Sequence, residues 1–583
     1  MEGGEFLIRS GEASQVFTPE AFSEEQRLIA SSCRDFYNKE VAPHVEDLES
    51  MKEGLMPGLL EKAGALDMLG ISVDQSYGGL GLSFTTSLLA TEALGEGGSF
   101  STAFGAHTGI GTLPILYYGS KEQKEKYLPQ IVSGKWKSCY CLSEPQAGSD
   151  ANAGKTKARL SEDGKSYLLN GQKMWISNGG FADVLIVFAK IEDDKDLSAF
   201  IVKRDYPGIT FNEEEKKMGL KGSSTRQIFF NDCQVPAENL LAKPGHGFKI
   251  ALNILNAGRI KLAAGSLGAA KRLLSHALKH AKERKQFGKA ICEFGAIKYK
   301  IAEIFARSYA LESATYRAAH DIEQYASRSK SAKDAQEAEG VKAFAIECAI
   351  LKVFGSEILD YVVDETVQIF GGMGFSEDTP IARAYRDARV TRIYEGTNEI
   401  NRMLLVGLLL KKALRGELPL EKAALNVLED LKKPPTLNTS PNPDSLDYEF
   451  QIIESLKKAI LLLAGRCVQL FQQDISKEQE LLMQLADMIS YVYLSESALL
   501  RGQKHQQDLN QKAVRVYLSQ AVQRIQYGSS EILSYLPISK DEKRILTAGI
   551  KRLIRYEMPD VFSLRREIAD ELVQHESYLP QSY

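Results

Sequence analysis

The chain has 583 residues, 44% of them hydrophobic and 25% charged, with a formal net charge of −4. Those proportions predict a globular protein of several domains, roughly four by length, and give no electrostatic reason to expect nucleic-acid binding, which needs a basic stripe. The cysteines (Cys33, Cys139, Cys141, Cys233, Cys292, Cys348 and Cys467) are odd in number and form no CxxC, and no HExxH is present. Neither a disulfide framework nor a metal site is expected, and a reducing compartment fits.

At the start, Met1-Glu2-Gly3-Gly4-Glu5 lacks the basic flank and apolar core of a signal peptide and is too acidic for a transit peptide. No apolar run reaches the ~18 residues of a membrane span, so a cytoplasmic location is expected. Ser23-Glu24-Glu25-Gln26 is a capping box that opens a helix. Helical signals then run to about Trp136, broken at 74–79 and 105–111, with a short helix predicted over 121–131. Residues 1–136 are read as an N-terminal helical domain.

Between 137 and 242 the pattern changes to short alternating runs with Gly- and Asp-containing turns, which predicts a compact antiparallel β domain. Helical periodicity returns over 243–425, which predicts a bundle. Residues 426–447, with Pro434, Pro435, Pro441 and Pro443, read as a linker. A further helical domain follows over 448–583. The expected class is mainly α with a central β domain.

Several segments carry candidate chemistry. Cys141-Leu142-Ser143-Glu144-Pro145-Gln146-Ala147-Gly148-Ser149-Asp150 is a strand end followed by a small-residue loop, able to receive a polar ring edge and a phosphate, or an ordinary connection. Trp175, in Met174-Trp175-Ile176-Ser177, suits stacking on a planar cofactor or a place in the core. Arg284, in Glu283-Arg284-Lys285-Gln286-Phe287-Gly288, ends a helical run where its fork could meet a phosphate or only solvent. Gln368-Ile369-Phe370-Gly371-Gly372-Met373-Gly374-Phe375 is a glycine-rich break, open to a ligand or to helix crowding, and is not a Rossmann fingerprint. Ile393-Tyr394-Glu395-Gly396-Thr397-Asn398 sets a carboxylate beside a glycine, either a surface turn or a base that a ligand can approach closely.

Together and in this order, these segments resemble the acyl-CoA dehydrogenase family over about residues 20–415. The resemblance implies helices, β domain and helices, with FAD between the β domain and the second helical domain and completed by a neighbouring subunit. It assigns flavin contacts to Tyr140, Leu142, Ser143, Trp175, Ile176 and Ser177, and a pyrophosphate or substrate contact to Ser149. Arg284, Phe287, Gln368, Gly371 and Gly372 are implied to reach the partner's FAD, and Thr397 and Glu399 to touch the dinucleotide. Asn256, Arg259 and Gly396 are implied at the substrate. Glu395 becomes the base that removes the α-proton of an acyl-CoA. The alternative base position of some relatives, just before Arg259, is Gly258 here.

Leu255-Asn256-Ala257-Gly258-Arg259, Phe354-Gly355-Ser356-Glu357 and the long extension resemble the very-long-chain branch, which implies a homodimer. Small residues between Ser99 and Gly111 suit either a long acyl tail or close helix packing. The expected reaction is FAD-dependent α,β-dehydrogenation of long-chain acyl-CoA in fatty-acid β-oxidation, with an electron-transfer flavoprotein as acceptor. An acyl-CoA oxidase using oxygen and a non-enzymatic assembly role are the alternatives. Lys540, Lys543, Arg544, Lys551, Arg552 and Arg555, interspersed with apolar residues, fit either peripheral membrane contact or a solvated basic face.

Overall fold

The computed structural model describes residues 2–331, 333–433, 442 and 444–578. Four of the N-terminal helices matter to the site: α1 (Glu24–Phe36), α2 (Phe84–Ala93), α3 (Ser99–Gly105) and α4 (Lys121–Val132). Ser23 and Ser120 cap α1 and α4 through reciprocal boxes with Gln26 and Gln123, so both starts are written locally in the sequence. The expected break at 105–111 is instead helical. Ala106–Gly111 continues α3 as a π-helical turn, a wider coil that re-aims its side chains.

The middle domain comprises β1 (Ser138–Cys141), β2 (Lys157–Leu160), β3 (Ser166–Ser177), β4 (Val184–Ile191), β5 (Ser198–Lys203), β6 (Ile209–Phe211), β7 (Thr225–Pro236) and β8 (Leu240–Leu241). The strand order is β6-β7-β3-β2-β4-β5-β8, with β1 also on β4. The sheet is mixed rather than antiparallel, because β1 and β2 both run parallel to β4. A bulge between Lys173 and Ile176 interrupts the β3–β7 ladder and puts Trp175 at φ 61.

The bundle that follows contains α5 (Gly247–Glu283), α6 (Gly295–Ala326), α7 (Ala345–Phe370), α8 (Asn398–Leu414) and α9 (Leu420–Lys432). Residues 426–432, expected in the linker, continue α9. Pro434, Pro435, Pro441 and Pro443 lie outside the described residues. The extension is formed by α10 (Asp447–Phe471), α11 (Gln479–His505), α12 (Asp508–Tyr535), α13 (Lys540–Leu553) and α14 (Val561–His575).

Matched buried charges join the extension to the bundle. Arg317 on α6 donates to Glu496 on α11 at 2.8 Å, and Lys457 on α10 pairs with the same carboxylate. Arg501 on α11 donates to Glu312 on α6 at 2.6 Å. The N-terminal residues are wedged into this seam: Phe6 and Leu7 are buried, and the Gly4 N–H donates to Glu347 Oε1 at 2.7 Å. On α13, Leu546 and Ile550 are buried while Ile545 is exposed, and Lys543 and Arg552 donate to the carbonyls of Ser534 and Leu431. Among the described residues no helix is long and apolar enough to cross a membrane.

Candidate active site

Glu395 sits on the turn leading into α8. It takes φ 58 and Gly396 takes φ 80, two successive left-handed residues. A non-glycine residue held there is strained by about 1–2 kcal/mol, and such strain persists only where the surroundings over-determine it. They do so here. Arg259 Nε donates to the Glu395 carbonyl at 3.2 Å. Asn401 Nδ2 reaches the carbonyls of Gly396 and Thr397 at 2.8 and 3.0 Å. Lys352 Nζ donates to the Gly396 carbonyl and to Asn398 Oδ1, both at 2.7 Å. The Thr397 hydroxyl caps α8 by accepting from the Ile400 N–H.

The backbone around Glu395 is therefore bound on every side, whereas its carboxylate is not. Oε2 is buried with no hydrogen-bond partner. It faces the bare Cα of Gly258 on α5, where an added Cβ would stand 2.7 Å from Oε2. Burial pushes the carboxyl from its ordinary 4.5 up to about 7, against the downward pull of the Arg259 and Lys352 cations. A carboxylate poised near neutrality can act as a general base.

Glu395, Gly258 and Ser177 line a cavity of about 250 Å³. It follows α5 past Gly265 and Ala269 to His276, a rise of about 27 Å along the helix. Opposite stand Ser101, Thr102, Gly105, Ala106 and Gly109, so the small residues of 99–111 do open a corridor. At the distal end Arg272 and His276 both engage Glu96, at 2.9 and 3.5 Å.

Of the residues that the resemblance assigns to a flavin, Ser177 lines the cavity with Glu395 and Tyr140 feels its charge. Tyr140 is buried and its hydroxyl has no hydrogen-bond partner, and its acidity is suppressed by burial and by the Glu395 charge. Trp175, projected by its bulge, is 57% exposed and so is not a core residue. The loop from Ser143 to the exposed Ser149 is braced by a buried pair that the sequence did not announce. Lys173 Nζ donates to Glu144 Oε1 at 2.7 Å and to the Leu142 carbonyl at 3.1 Å. The unpartnered hydroxyl, the projected indole and the open loop fit a planar ring with an attached phosphate chain.

Asn256 and Arg259, which the resemblance puts at the substrate, are buried, and Arg259 holds the Glu395 turn. Asn256 Oδ1 accepts from Arg259 Nη1 at 2.5 Å, and neither residue lines the cavity. Arg284, Phe287, Gln368, Gly371 and Gly372 are exposed and also away from the cavity. His280 stacks on Phe370 at 4.1 Å, which ties the end of α5 to the end of α7 and puts these residues on one face. Lys352, Asn401 and the Lys173–Glu144 pair are functional supports that the sequence reading missed. The spacing of Asn398 and Asn401 after Glu395 was the available signal.

Models of the acyl-CoA dehydrogenase N-terminal, middle and C-terminal domains match residues 23–135, 139–233 and 245–409. A further acyl-CoA dehydrogenase C-terminal domain matches 455–552. The chain belongs to the acyl-CoA dehydrogenase family. It is 42% identical to a probable acyl-CoA dehydrogenase of Bacillus subtilis (strain 168), over 99% of this chain and 98% of that one. It is similar over 99% of its length, with TM-score 0.96 and 41% identity, to all of an acyl-CoA dehydrogenase from Bacillus anthracis solved with FAD. The very long-chain specific acyl-CoA dehydrogenase of Rattus norvegicus is 41% identical over 65% of this chain, but the match spans only 56% of that relative's length.

Proposed function

We propose that the protein dehydrogenates long-chain acyl-CoA thioesters to trans-2-enoyl-CoA with Glu395 as the base, as in the first step of fatty-acid β-oxidation. The observation that carries this is the buried, unpartnered Glu395 Oε2 at one end of a long corridor, with its carboxyl raised to about 7. Tyr140, Leu142, Ser143, Ser149, Trp175, Ile176 and Ser177 would hold FAD, which when bound accepts the β-hydrogen as hydride. Thr397 and Glu399 would touch its dinucleotide end.

Within the chain, Glu395 takes the α-proton from the acyl carbon lying between it and Ser177. Its backbone N–H would donate to the thioester oxygen, which acidifies that proton as negative charge develops on the oxygen. Arg259, Lys352 and Asn401 hold the turn so that the carboxylate stays aimed at the substrate. An acyl tail along α5 buries its methylenes at ~0.8 kcal/mol each. A C–C bond spans no more than about 1.5 Å, so the corridor far outreaches a short chain.

Exposed Phe287 and Phe375 (93% and 86%) lie with Arg284 and Gly371 on a surface that we read as meeting a second copy and completing its FAD site. An electron-transfer flavoprotein is the proposed acceptor. Flavin reduction by an acyl-CoA length series tests the chain preference, with the largest kcat/KM expected at 14 carbons or more. Rapid peroxide release in air without the flavoprotein would favour the oxidase instead.

A further inference from the structure

We propose that Lys261 forms a polar subsite inside the acyl corridor that takes a carboxylate carried on the acyl chain itself, which makes ω-carboxyl acyl-CoA thioesters substrates of this enzyme. The inference rests on reading the cavity as the acyl corridor. Lys261 lies on α5 one turn beyond Gly258, lines the cavity and is only 9% exposed. Its stem runs beside Gly109 of the π-helical turn, where an added Cβ would stand 3.9 Å from Lys261 Cδ. The absence of side chains at 109 and 105 leaves the space next to it open.

Lys261 differs from the other buried cations. Among the described residues, each of the other buried lysines and arginines has hydrogen-bond acceptors: Lys137, Lys173, Arg259, Arg317, Lys352, Arg402, Lys457, Arg501 and Arg515. The Lys261 ammonium has none, and only the field of the more distant Glu337 acts on it. Burial pushes it down to about 8, so near neutral pH it remains largely a cation without a partner. A buried charge in that state is costly unless something enters to pair with it.

A plain methylene chain supplies no partner and leaves the ammonium unsatisfied. A carboxylate reaching the same point forms a charge-assisted hydrogen bond in a low-dielectric corridor. Lys261 follows Gly258 by a rise of only about 4.5 Å along α5, so the matching carboxylate belongs to a medium-length diacid rather than to the end of a very long one. No chemical step is added. The same α-proton goes to Glu395, and the subsite changes only which acyl chains bind.

The test compares octanoyl-CoA with suberoyl-CoA, which has the same carbon count and an ω-carboxylate, on the FAD-loaded full chain. The wild type is expected to use suberoyl-CoA with kcat/KM within tenfold of octanoyl-CoA. Lys261→Met should lower the suberoyl/octanoyl ratio at least tenfold, chiefly through KM, and Lys261→Arg should restore part of it. A wild type that discriminates more than 100-fold against suberoyl-CoA overturns the proposal without any variant. So does a ratio that stays within twofold in Lys261→Met, since the stem then only lines the wall. Failure of the wild type to oxidise any plain acyl-CoA would instead remove the reading of the site itself.

Discussion

The Glu395 carboxylate is seated against the bare Cα of Gly258, with Oε2 only 2.7 Å from where a β-carbon would be. The base and the missing side chain are thus one feature, contributed by a turn and a helix far apart in sequence. Gly258→Ala must push the carboxylate aside or shift α5. Misplacing a reacting group by about 1 Å can cost ~100-fold, so kcat should fall by one to two orders of magnitude while the flavin absorbance of the purified protein is kept. Unchanged kcat would mean that Glu395 is free to move.

The raised Glu395 carboxyl fixes the sign of a stability change with pH. Its unfolded value is near 4.5 and its folded value about 7. The native state binds more protons between those limits, so stability falls as pH rises from 4.5 to 7 and stays lowered above that. The penalty is on the order of 3 kcal/mol. Glu395→Gln, which carries no charge, should therefore be more stable than wild type at pH 8 and nearly equal to it at pH 4.5. Thermal unfolding of both proteins across that range measures the difference.

Lys352 holds the turn and also lowers the Glu395 pKa. Burial pushes Lys352 itself down to about 7, so it carries its charge over the lower part of the range in which Glu395 titrates. Lys352→Met removes that charge, and the rising limb of kcat/KM against pH should move to higher pH. A purely structural effect would lower the whole profile without moving its midpoint.

Much of this was legible in the sequence and some was not. The capping box at Ser23, the helix over 121–131 and the Glu395-Gly396 turn were readable because each is closed by residues within a few positions. The parallel pairing of β1 and β2 with β4 was not, since strand direction depends on where the chain crosses the sheet. The sequence could not show that Arg259 braces the Glu395 turn while Asn256 accepts from Arg259, because the approach of α5 to that turn decides which way they point. Nothing in the local sequence sets Lys261 or Lys352 apart from other helix lysines, and only packing makes one unpartnered and the other a brace.

The seam between bundle and extension rests on Glu496, which accepts from Arg317 and Lys457. Glu496→Ala leaves Arg317 buried without a carboxylate and Lys457 with Glu454 alone. Breaking such a group typically costs 3–5 kcal/mol, so urea unfolding should begin at lower denaturant, with the extension the first part to lose protection against hydrogen exchange. A loss below about 1 kcal/mol, the scale of an exposed pair, would show that the network is solvated.

The central claim is that Glu395 is the base, and anaerobic mixing with palmitoyl-CoA tests it most directly. Wild-type holoenzyme should lose its flavin absorbance near 450 nm within one turnover. Glu395→Gln should bind the same FAD and stay yellow, with the rate down by a factor of at least ~10²–10⁴. Bleaching of Glu395→Gln at the wild-type rate would contradict the account, because the α-proton would then leave to some other group.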